Sequence, residues 1–542
     1  MLESISNGAS NVLPGTTTAQ LAQGAIFVIK GNALGPSTLF EAPSAQIFQS
    51  ATVDNTSVTV TVGQTTVNAL MYYTSSGQVA ALLPSNTPLG TGSFTVIYNG
   101  VSSAPMNHAI VASNLGLFTL DSTGQGPGIV TYPDYSYVSS AKASNCTGPS
   151  NTGVEAFVAC GAANPGDTLI LWATGLGPLP AGVADNSSGG VGVALNNVQL
   201  TLWLGGVSVP IAYQGRGCCF GEDQIVFTIP STGTLVPTGC AVPLVAQINL
   251  GTTTVISNTV SIAVANGSRN CTATDPVQAS QNLQQQVITG ALPFGVATPS
   301  LSRNPTGNNT VEDDAKFSFQ KVLALNTTFA PFFEEFLDSQ PLGTCVVYDN
   351  LNPKNNIPIT NIINADAGKT VTIAGPANSL VETIQPGKTE VTLSNTGAFL
   401  NPGTFTINGG GGADIGAFKA TINIPGALTL TSPTQASLTT GVSRANGLPL
   451  TWTGGAANGV ISITLQSATD ITYTNGSTVY CAVSATAGSF TIPPYVLEAL
   501  NAGTVPLSIE QDAVPVPVTG TGIGFGELTF SGLATNLQVN LQ

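Results

Sequence analysis

An internal duplication constrains the fold of this chain more than any other feature. Residues 24–36 read GAIFVIKGNALGP and residues 166–178 read GDTLILWATGLGP, so each is a strand-like run followed by a Gly-rich corner that ends in Leu-Gly-Pro. Two further pairs of blocks follow in the same order, VTVTVG at 58–63 with VQLTLWLGG at 198–206, and QVAALLP at 78–84 with QIVFTIP at 224–230. The first block recurs after 142 residues and the last after 146, and this steady offset predicts two homologous domains, residues 1–113 and 114–266.

Apolar and polar residues alternate over short runs in both repeats, and turn dipeptides such as Asn99-Gly100 and Gly205-Gly206 separate these runs. A period of two is the pattern of half-buried β-strands. Only 7% of the 542 residues are charged, too few for long surface helices, which are stabilised by pairs of Glu with Lys or Arg. The sequence therefore predicts an all-β fold of tandem immunoglobulin-like β-sandwich domains.

The remaining residues, 267–542, are predicted to form a further β-sandwich region with one or two short helices. A segment over about 276–289 has a Pro in its first turn and a Gly after its end, and it is expected to be a helix that connects this region to the second domain. A Phe-rich segment at 327–340 is a second helix candidate. The tetraglycine at 409–412 is either a hinge, with a possible split of the region near 410, or a tight loop inside one domain.

A set of motifs along the first two domains carries a family resemblance. In chain order they are NGAS (7–10), IFVIKGNALGP (26–36), QVAALLP (78–84), GLF (116–118), PGDTLILWATGLGP (165–178), VQLTLWLGG (198–206) and GCCFGEDQIVFTIP (217–230). Together they resemble a large family of exported acidobacterial proteins named for an uncharacterised Solibacter-type C-terminal domain. The resemblance covers about residues 4–266 and implies export and β-sandwich modules in secreted or surface proteins. It implies no catalytic residue, ligand or activity, and the module here is N-terminal rather than C-terminal.

Charge and hydropathy exclude several classes of partner. With 12 Lys and Arg against 27 Asp and Glu, the net charge is −15, so a basic patch for nucleic acid or for an anionic membrane cannot form. No apolar run reaches the length of a transmembrane helix. The first residues, from Met1 to Ser6, show no signal peptide. The cysteines nevertheless predict an extracellular or cell-surface protein, because their even number suits disulfides in an oxidising compartment.

All eight cysteines are predicted to form disulfides, and they are Cys146, Cys160, Cys218, Cys219, Cys240, Cys271, Cys345 and Cys481. Cysteines that flank one short loop are expected to pair, whereas adjacent cysteines rarely bond to each other. The expected pairs are therefore Cys146 with Cys160, Cys218 and Cys219 with Cys240 and Cys271, and Cys345 with Cys481. A metal site is not predicted, because the chain has no C-x-x-C motif and a single His.

Neither a catalytic residue nor a cofactor is predicted. The single histidine, His108, lies in the last strand of the first domain, without a nucleophile motif such as G-x-S-x-G nearby, so a structural or surface role is expected. Two carboxylate pairs, Glu222-Asp223 and Glu334-Glu335, make a carboxylate-based hydrolase the weakest alternative. Nothing in the sequence places either pair across a common pocket.

Aromatic residues supply the candidates for ligand contact. In VQLTLWL the alternate apolar residues leave Trp203 on the opposite strand face, and Trp172 aligns with Lys30 of the first repeat, a residue type that is rarely buried. Both tryptophans are expected to face outwards, where they contact a sugar or a protein, or else pack under a loop or against a neighbouring domain. A second cluster with the same alternatives consists of Tyr132, Tyr135 and Tyr137.

These observations predict a secreted or cell-surface structural or adhesive protein without catalytic activity. Its expected partner is a protein, either a second copy or a surface partner, or a polysaccharide. The main alternative is an array of extracellular carbohydrate-binding modules that uses Trp172, Trp203 or the tyrosine cluster.

Overall fold

The computed structural model of the chain describes residues 1–13, 16–120, 122–140, 142–143, 145–146, 158–186, 192–251, 253–271, 293–306, 310–323, 340–349, 362–383, 390–457, 459–468 and 476–542. Regular structure in these residues is almost entirely β-strand, which confirms the predicted all-β fold. The helical segments among them are α1 (Gln435–Thr440), α2 (Pro494–Glu498) and the 3-10 turns Thr17–Ala19, Ser44–Gln46, Arg444–Asn446 and Ala485–Ala487. The helix expected at about 276–289 lies outside the described residues, as does nearly all of the candidate at 327–340.

The first sandwich contains the strands β1 (Leu2–Asn7), β2 (Leu21–Ala22), β3 (Ile26–Gly31), β4 (Phe40–Glu41), β5 (Thr52–Val53), β6 (Thr56–Val62), β7 (Thr65–Asn68), β8 (Leu70–Thr74), β9 (Gln78–Leu82), β10 (Gly90–Tyr98), β11 (Val101–Ser102) and β12 (Met106–Val111). Its two facing sheets have the orders β1-β3-β9-β8-β4 and β2-β12-β10-β6-β5. Alternation places Val58 and Val60 of β6 fully inside, against Phe27 and Phe94 from the two sheets. The chain therefore begins in one sheet, where β1 pairs with β3, and crosses to the other, where β2 runs parallel to β12.

The second sandwich contains the strands β13 (Gly116–Leu117), β14 (Gly126–Pro127), β15 (Val130–Thr131), β16 (Thr168–Thr174), β17 (Val193–Ala194), β18 (Gln199–Leu204), β19 (Val207–Val209), β20 (Ile211–Arg216), β21 (Asp223–Thr228), β22 (Gly239–Leu250), β23 (Thr253–Ile256) and β24 (Val260–Val264). Its sheets have the orders β13-β16-β21-β20-β17 and β14-β24-β22-β18-β19, which match those of the first sandwich in all but one edge strand. The parallel pair recurs as β14 with β24. This match confirms the internal repeat and the tandem immunoglobulin-like architecture.

The C-terminal region contains the strands β25 (Phe294–Ala297), β26 (Ser300–Thr306), β27 (Thr310–Lys316), β28 (Phe319–Val322), β29 (Thr344–Asp349), β30 (Ile362–Asn364), β31 (Thr370–Ala374), β32 (Ser379–Thr383), β33 (Glu390–Ser394), β34 (Gly403–Gly409), β35 (Phe418–Ile424), β36 (Leu428–Ser432), β37 (Leu448–Gly454), β38 (Gly459–Ala468), β39 (Gly476–Ser484), β40 (Ser489–Ile492), β41 (Gly503–Ala513), β42 (Val516–Pro517), β43 (Thr519–Gly520) and β44 (Ile523–Leu541). One hydrophobic core lies between β29, β39, β38 and β41 and the small sheet β36-β37-β40. A second core lies between strands around β25 and β28 and the sheet β32-β31-β34-β35-β43. The 19-residue β44 contributes to both cores, because it pairs with β25 and β26 near its start and with β41 towards its end.

The tetraglycine run begins at the end of β34 and lies between β34 and β35, which are neighbours in one sheet.

Asp349 joins the C-terminal region to both sandwiches. Its buried carboxylate accepts hydrogen bonds from Ser477 Oγ at 2.6 Å and, across the junction, from Thr18 Oγ1 at 3.2 Å. Gln125 of the second sandwich donates to its backbone carbonyl at 2.6 Å. Burial raises the pKa of Asp349 to about 6, and the two hydroxyl donors offset only part of that effect.

Asp349→Asn is expected to remove the loss of stability that wild type shows when Asp349 ionises at higher pH. Because the folded-state pKa lies above that of the unfolded chain, the contribution of Asp349 to stability is fully present below about pH 4 and is lost as the pH rises through 6. The difference of about two pKa units corresponds to roughly 3 kcal/mol at most. Urea unfolding at pH 4 and pH 8 should show Asp349→Asn close to wild type at pH 4 and more stable at pH 8. The control Glu390→Gln, at an exposed position, should match wild-type stability at both pH values. If Asp349→Asn also matched wild type at pH 8, the raised pKa of Asp349 would be contradicted.

The described cysteines form four disulfides, two of which follow the expected pairing. Cys146 bonds to Cys160 and Cys345 to Cys481, with Cα separations of 5.5 and 4.0 Å. The expected cross-pairing of the other four was wrong, since Cys218 bonds to its neighbour Cys219, and Cys240 bonds to Cys271. The reason is topological. Cys240 lies at the start of β22 and Cys271 follows β24, and these two strands are paired, whereas the adjacent cysteines lie in the loop between β20 and β21 of the other sheet.

Candidate binding site

The structure separates the aromatic residues that the sequence groups together. Of the alternatives open for Tyr132, packing inside the protein is the one observed, because its ring lies in the core of the second sandwich with 2% exposure. Its hydroxyl donates to the carbonyl of Gly161 at 3.0 Å, and Arg269 lies over the ring and donates to the same hydroxyl. Burial raises the pKa of Tyr132, so this phenol stays neutral and structural.

Trp172 and Tyr135 lie together on the outer face of the second sandwich. Trp172 is half-buried, its Nε1 donates to Thr131 Oγ1 at 3.1 Å, and its ring centre is 6.2 Å from that of Tyr135. Tyr135 is 41% exposed, and Tyr137 nearby is half-buried. The outward direction expected for Trp172 is therefore the one observed, with a neighbouring tyrosine beside it.

Trp203 also faces out of its own sandwich, but the C-terminal region covers it. Its ring stacks on Tyr495 of α2, with ring centres 4.9 Å apart and planes 15° from parallel. The indole Nε1 donates to Gln247 Oε1 at 2.9 Å, and Gln247 in turn donates to Glu498 at 2.8 Å. Of the alternatives open for this residue, packing against a neighbouring domain is the one observed.

A cleft of about 440 Å³ lies where the first two sandwiches meet. The first sandwich contributes Phe48 and Tyr72 to its lining, and their rings are 5.4 Å apart. The second sandwich contributes Phe118, Phe220, Glu222 and the disulfide between the adjacent cysteines 218 and 219. The cleft is therefore complete only when both sandwiches are docked.

The docking that forms the cleft depends on close backbone approach. Ile26 and Val28 of β3 face away from their own core, yet they are buried at 8% and 7% exposure at this junction. Gly221 has a φ of +72°, and a Cβ there would lie 2.8 Å from Ile26 Cγ1. A glycine is thus required both for the backbone conformation and for the contact between the loop and β3. Thr174 completes the junction, since its Oγ1 accepts from the Ile26 amide at 2.9 Å and donates to the Gly221 carbonyl at 2.7 Å.

A buried ion pair involves Asp223, the residue that follows the cleft residue Glu222. Arg216 forms a salt bridge with Asp223, whose side chain is fully buried, and its guanidinium also donates to the backbone carbonyl of Gly24 in the first sandwich. Asp223 accepts a further bond from the Leu176 amide at 2.8 Å. Arg216 therefore neutralises the charge of Asp223, and it is not among the residues that line the cleft.

Glu222 differs from its neighbour Asp223 in having no counter-charge. Within the described residues no hydrogen-bond donor or cation contacts its carboxylate, and burial, with the nearby Asp223, raises the pKa of Glu222 to about 7. Whether Glu222 and Asp223 act together in catalysis stays a prediction. Their environments are nonetheless distinct, since one carboxylate is held by Arg216 and the other lines an aromatic cleft.

The cleft and the Trp172 surface are adjacent on one sheet. Trp172 of β16 is directly opposite Gln224 of β21, and the Gln224 amide lies 3.7 Å from Cys218 Sγ. The backbone of Phe118, which lines the cleft, donates to the carbonyl of Trp172 at 3.1 Å. Sequence reasoning found Trp172 but missed the cleft beside it, although the run GCCFGED at 217–223 contains four of its lining residues.

Comparisons with known proteins give only distant structural similarities. No family model matches the chain, and no curated protein matches it. Similar solved structures include Sidekick-1 immunoglobulin domains 1–4, with 9% identity, coverage of 90% of each chain and a TM-score of 0.13. Domains 5–6 of the S-layer protein SbsC have 13% identity and a TM-score of 0.16, over 49% of this chain and 99% of that one. A Bacteroides ovatus glucan-utilisation protein, SGBP-B in complex with a mixed-linkage heptasaccharide, has 11% identity and a TM-score of 0.13, over 90% and 98%. Identities and TM-scores this low carry no argument about the fold, function or ligand of this chain.

Two features are absent from the part of the chain that the structure describes. No helix there is long and apolar enough to span a membrane. No group of three or more His, Cys, Asp or Glu side chains in that part of the chain could hold a metal ion.

Proposed function

We propose that this chain is a secreted or cell-surface structural and adhesive protein without catalytic activity. We further propose that residues 4–266 belong to the acidobacterial family that they resemble. Disulfides in both the second sandwich and the C-terminal region support a location outside the reducing cytoplasm.

The observation that carries this proposal is the way consecutive units are joined. Side chains cross both junctions: the buried Arg216 bonds to Gly24 between the two sandwiches, and the half-buried Trp203 stacks on Tyr495 of the C-terminal region. Thr18 of the first sandwich also bonds directly to Asp349 of the C-terminal region. Such contacts favour a fixed stack over independent modules on linkers, and a stiff stack suits a protein that transmits force or assembles at a surface.

A carbohydrate-binding function is the second candidate, and one observation favours it. Tyr135 and Trp172 form an aromatic pair that remains at the surface, and exposed aromatic rings of this kind stack on sugar rings. Trp203 no longer supports this candidate, because Tyr495 covers its ring.

Light scattering on the full chain, together with a glycan array, distinguishes the two functions. We expect the mass to rise above that of the monomer with increasing concentration, and the array to show no binding. Trp172→Ala should then leave the array unchanged. A monomer at all concentrations would contradict the structural role, and glycan binding that Trp172→Ala abolishes would establish the alternative.

A further inference from the structure

We propose that the cleft between the first two sandwiches binds a small organic cation. The cationic head would lie at the Glu222 carboxylate, and its substituents would lie against Tyr72, Phe220 and the disulfide of the adjacent cysteines. This site is separate from the proposed structural role, since self-association does not require the cleft to be occupied.

Size and shape are the first argument. At about 440 Å³ the cleft falls within the range of roughly 300–1,000 Å³ that is typical of small-molecule sites. Its walls come from two different units that are held in register by buried bonds, so the cavity is preformed. Preorganisation of this kind lowers the entropic cost of binding.

Charge is the second argument, and it selects the class of ligand. Glu222 lines the cleft without a cationic partner among the described residues, and none of the residues lining the cleft is Lys, Arg or His. The guanidinium of Arg216 bonds instead to Asp223 and to the Gly24 carbonyl. A partly buried carboxylate that lacks a counter-charge is costly, and a cationic ligand removes that cost. An anion would be repelled, and a neutral sugar would leave the charge uncompensated.

Aromatic rings are the third argument. Phe48, Tyr72, Phe118 and Phe220 line the same cavity as the carboxylate. The faces of aromatic rings attract organic cations, and quaternary ammonium groups are commonly recognised by several rings and an acidic group. The disulfide of the adjacent cysteines adds an uncharged surface for the alkyl substituents. The combination fits an ammonium ion with small apolar groups better than a hydrated metal ion.

Binding should depend on pH through Glu222. The titratable and charged groups around it are Asp223, the next residue and the first of β21, Arg216 at the end of β20, and Tyr72, Tyr73 and Glu41 of the first sandwich. Burial raises the pKa of both tyrosines, which therefore stay neutral, and Arg216 offsets the charge of Asp223. Glu222 is left as the group that titrates near pH 7. Because only its ionised form attracts a cation, the charge contribution should be lost on protonation, and choline affinity should fall by up to about tenfold between pH 8 and pH 5.

Titration calorimetry with choline tests the proposal on the full oxidised chain. The neutral isostere 3,3-dimethyl-1-butanol serves as the matched ligand, and we expect choline to bind about tenfold more tightly at pH 8. Glu222→Gln should lose that preference while keeping or raising the melting temperature, because it removes an uncompensated buried charge. The exposed Glu390→Gln should bind as wild type does.

Three results would overturn the proposal. They are no saturable choline binding, equal affinity for the two ligands, and choline binding that Glu222→Gln leaves unchanged. The last result, together with loss of binding in Trp172→Ala, would move the site to the Tyr135–Trp172 surface. None of these results would change the outcome of the light-scattering experiment, so the cation site and the structural role are tested independently.

Discussion

Replacing Arg216 with alanine is expected to lower the free energy of unfolding by about 3–5 kcal/mol, because it leaves a buried carboxylate without its partner. The side chain of Asp223 has no exposed surface, and burial raises the pKa of Asp223 while Arg216 opposes that effect. The substitution also removes the bond to the Gly24 carbonyl, so the junction between the first two sandwiches should loosen. Urea denaturation at pH 7 measures the loss.

Two further variants identify the cause of that loss. Lys419→Ala removes an exposed cation of β35 and should change stability by less than about 0.5 kcal/mol. The double variant Arg216→Met with Asp223→Leu removes both charges and should recover much of the stability, because an apolar pair of similar volume avoids the desolvation cost. A double variant as unstable as Arg216→Ala would show that packing rather than charge dominates at this position.

Removing the disulfide between Cys345 and Cys481 is the second large effect. The bridge closes a segment of 136 residues, which corresponds to about 5 kcal/mol in the chain-entropy account of disulfide stabilisation. Both residues lie in the core formed by β29, β39, β38 and β41, directly opposite each other on β29 and β39. The double variant Cys345→Ala with Cys481→Ala should therefore unfold the C-terminal region at much lower urea concentrations.

The disulfide between adjacent cysteines provides the matched control. Cys218→Ala with Cys219→Ala opens a bridge between neighbours in sequence, which restricts the unfolded chain little, so we expect a change of about 1 kcal/mol. Equal losses in the two double variants would contradict the loop-entropy explanation.

Local pattern was sufficient to predict the fold. Alternation in TSVTVTV places Val58 and Val60 inside, and the recurrence of the same blocks corresponds to a recurrence of strand order. Of the structural and surface roles expected for His108, the structural one is observed, since the residue is buried and its Nε2 lies 2.7 Å from the Ala19 carbonyl. These features depend on neighbours in the sequence or on one pair of strands, and a single sequence contains that information.

Features that depend on distant parts of the chain could not be predicted. The outward direction of Trp203 follows from its strand, but its partner Tyr495 is almost 300 residues away and no periodicity indicates it. The sequence left open whether Tyr132 contacts a ligand or packs inside the protein, and its burial depends on Arg269 and Gly161, which are distant in sequence. The cleft was missed for the same reason, since its walls come from two repeats.

Disulfide mapping of the unreduced full chain tests the central claim most directly, namely that oxidised β-sandwiches are packed as described and belong outside the reducing cytoplasm. Mass spectrometry of the peptides should find Cys146 linked to Cys160, Cys240 to Cys271 and Cys345 to Cys481, with an intramolecular bond between Cys218 and Cys219 and no alkylated thiol. Freely alkylated cysteines in the native protein, or a bond from Cys218 or Cys219 to Cys240 or Cys271, would contradict it.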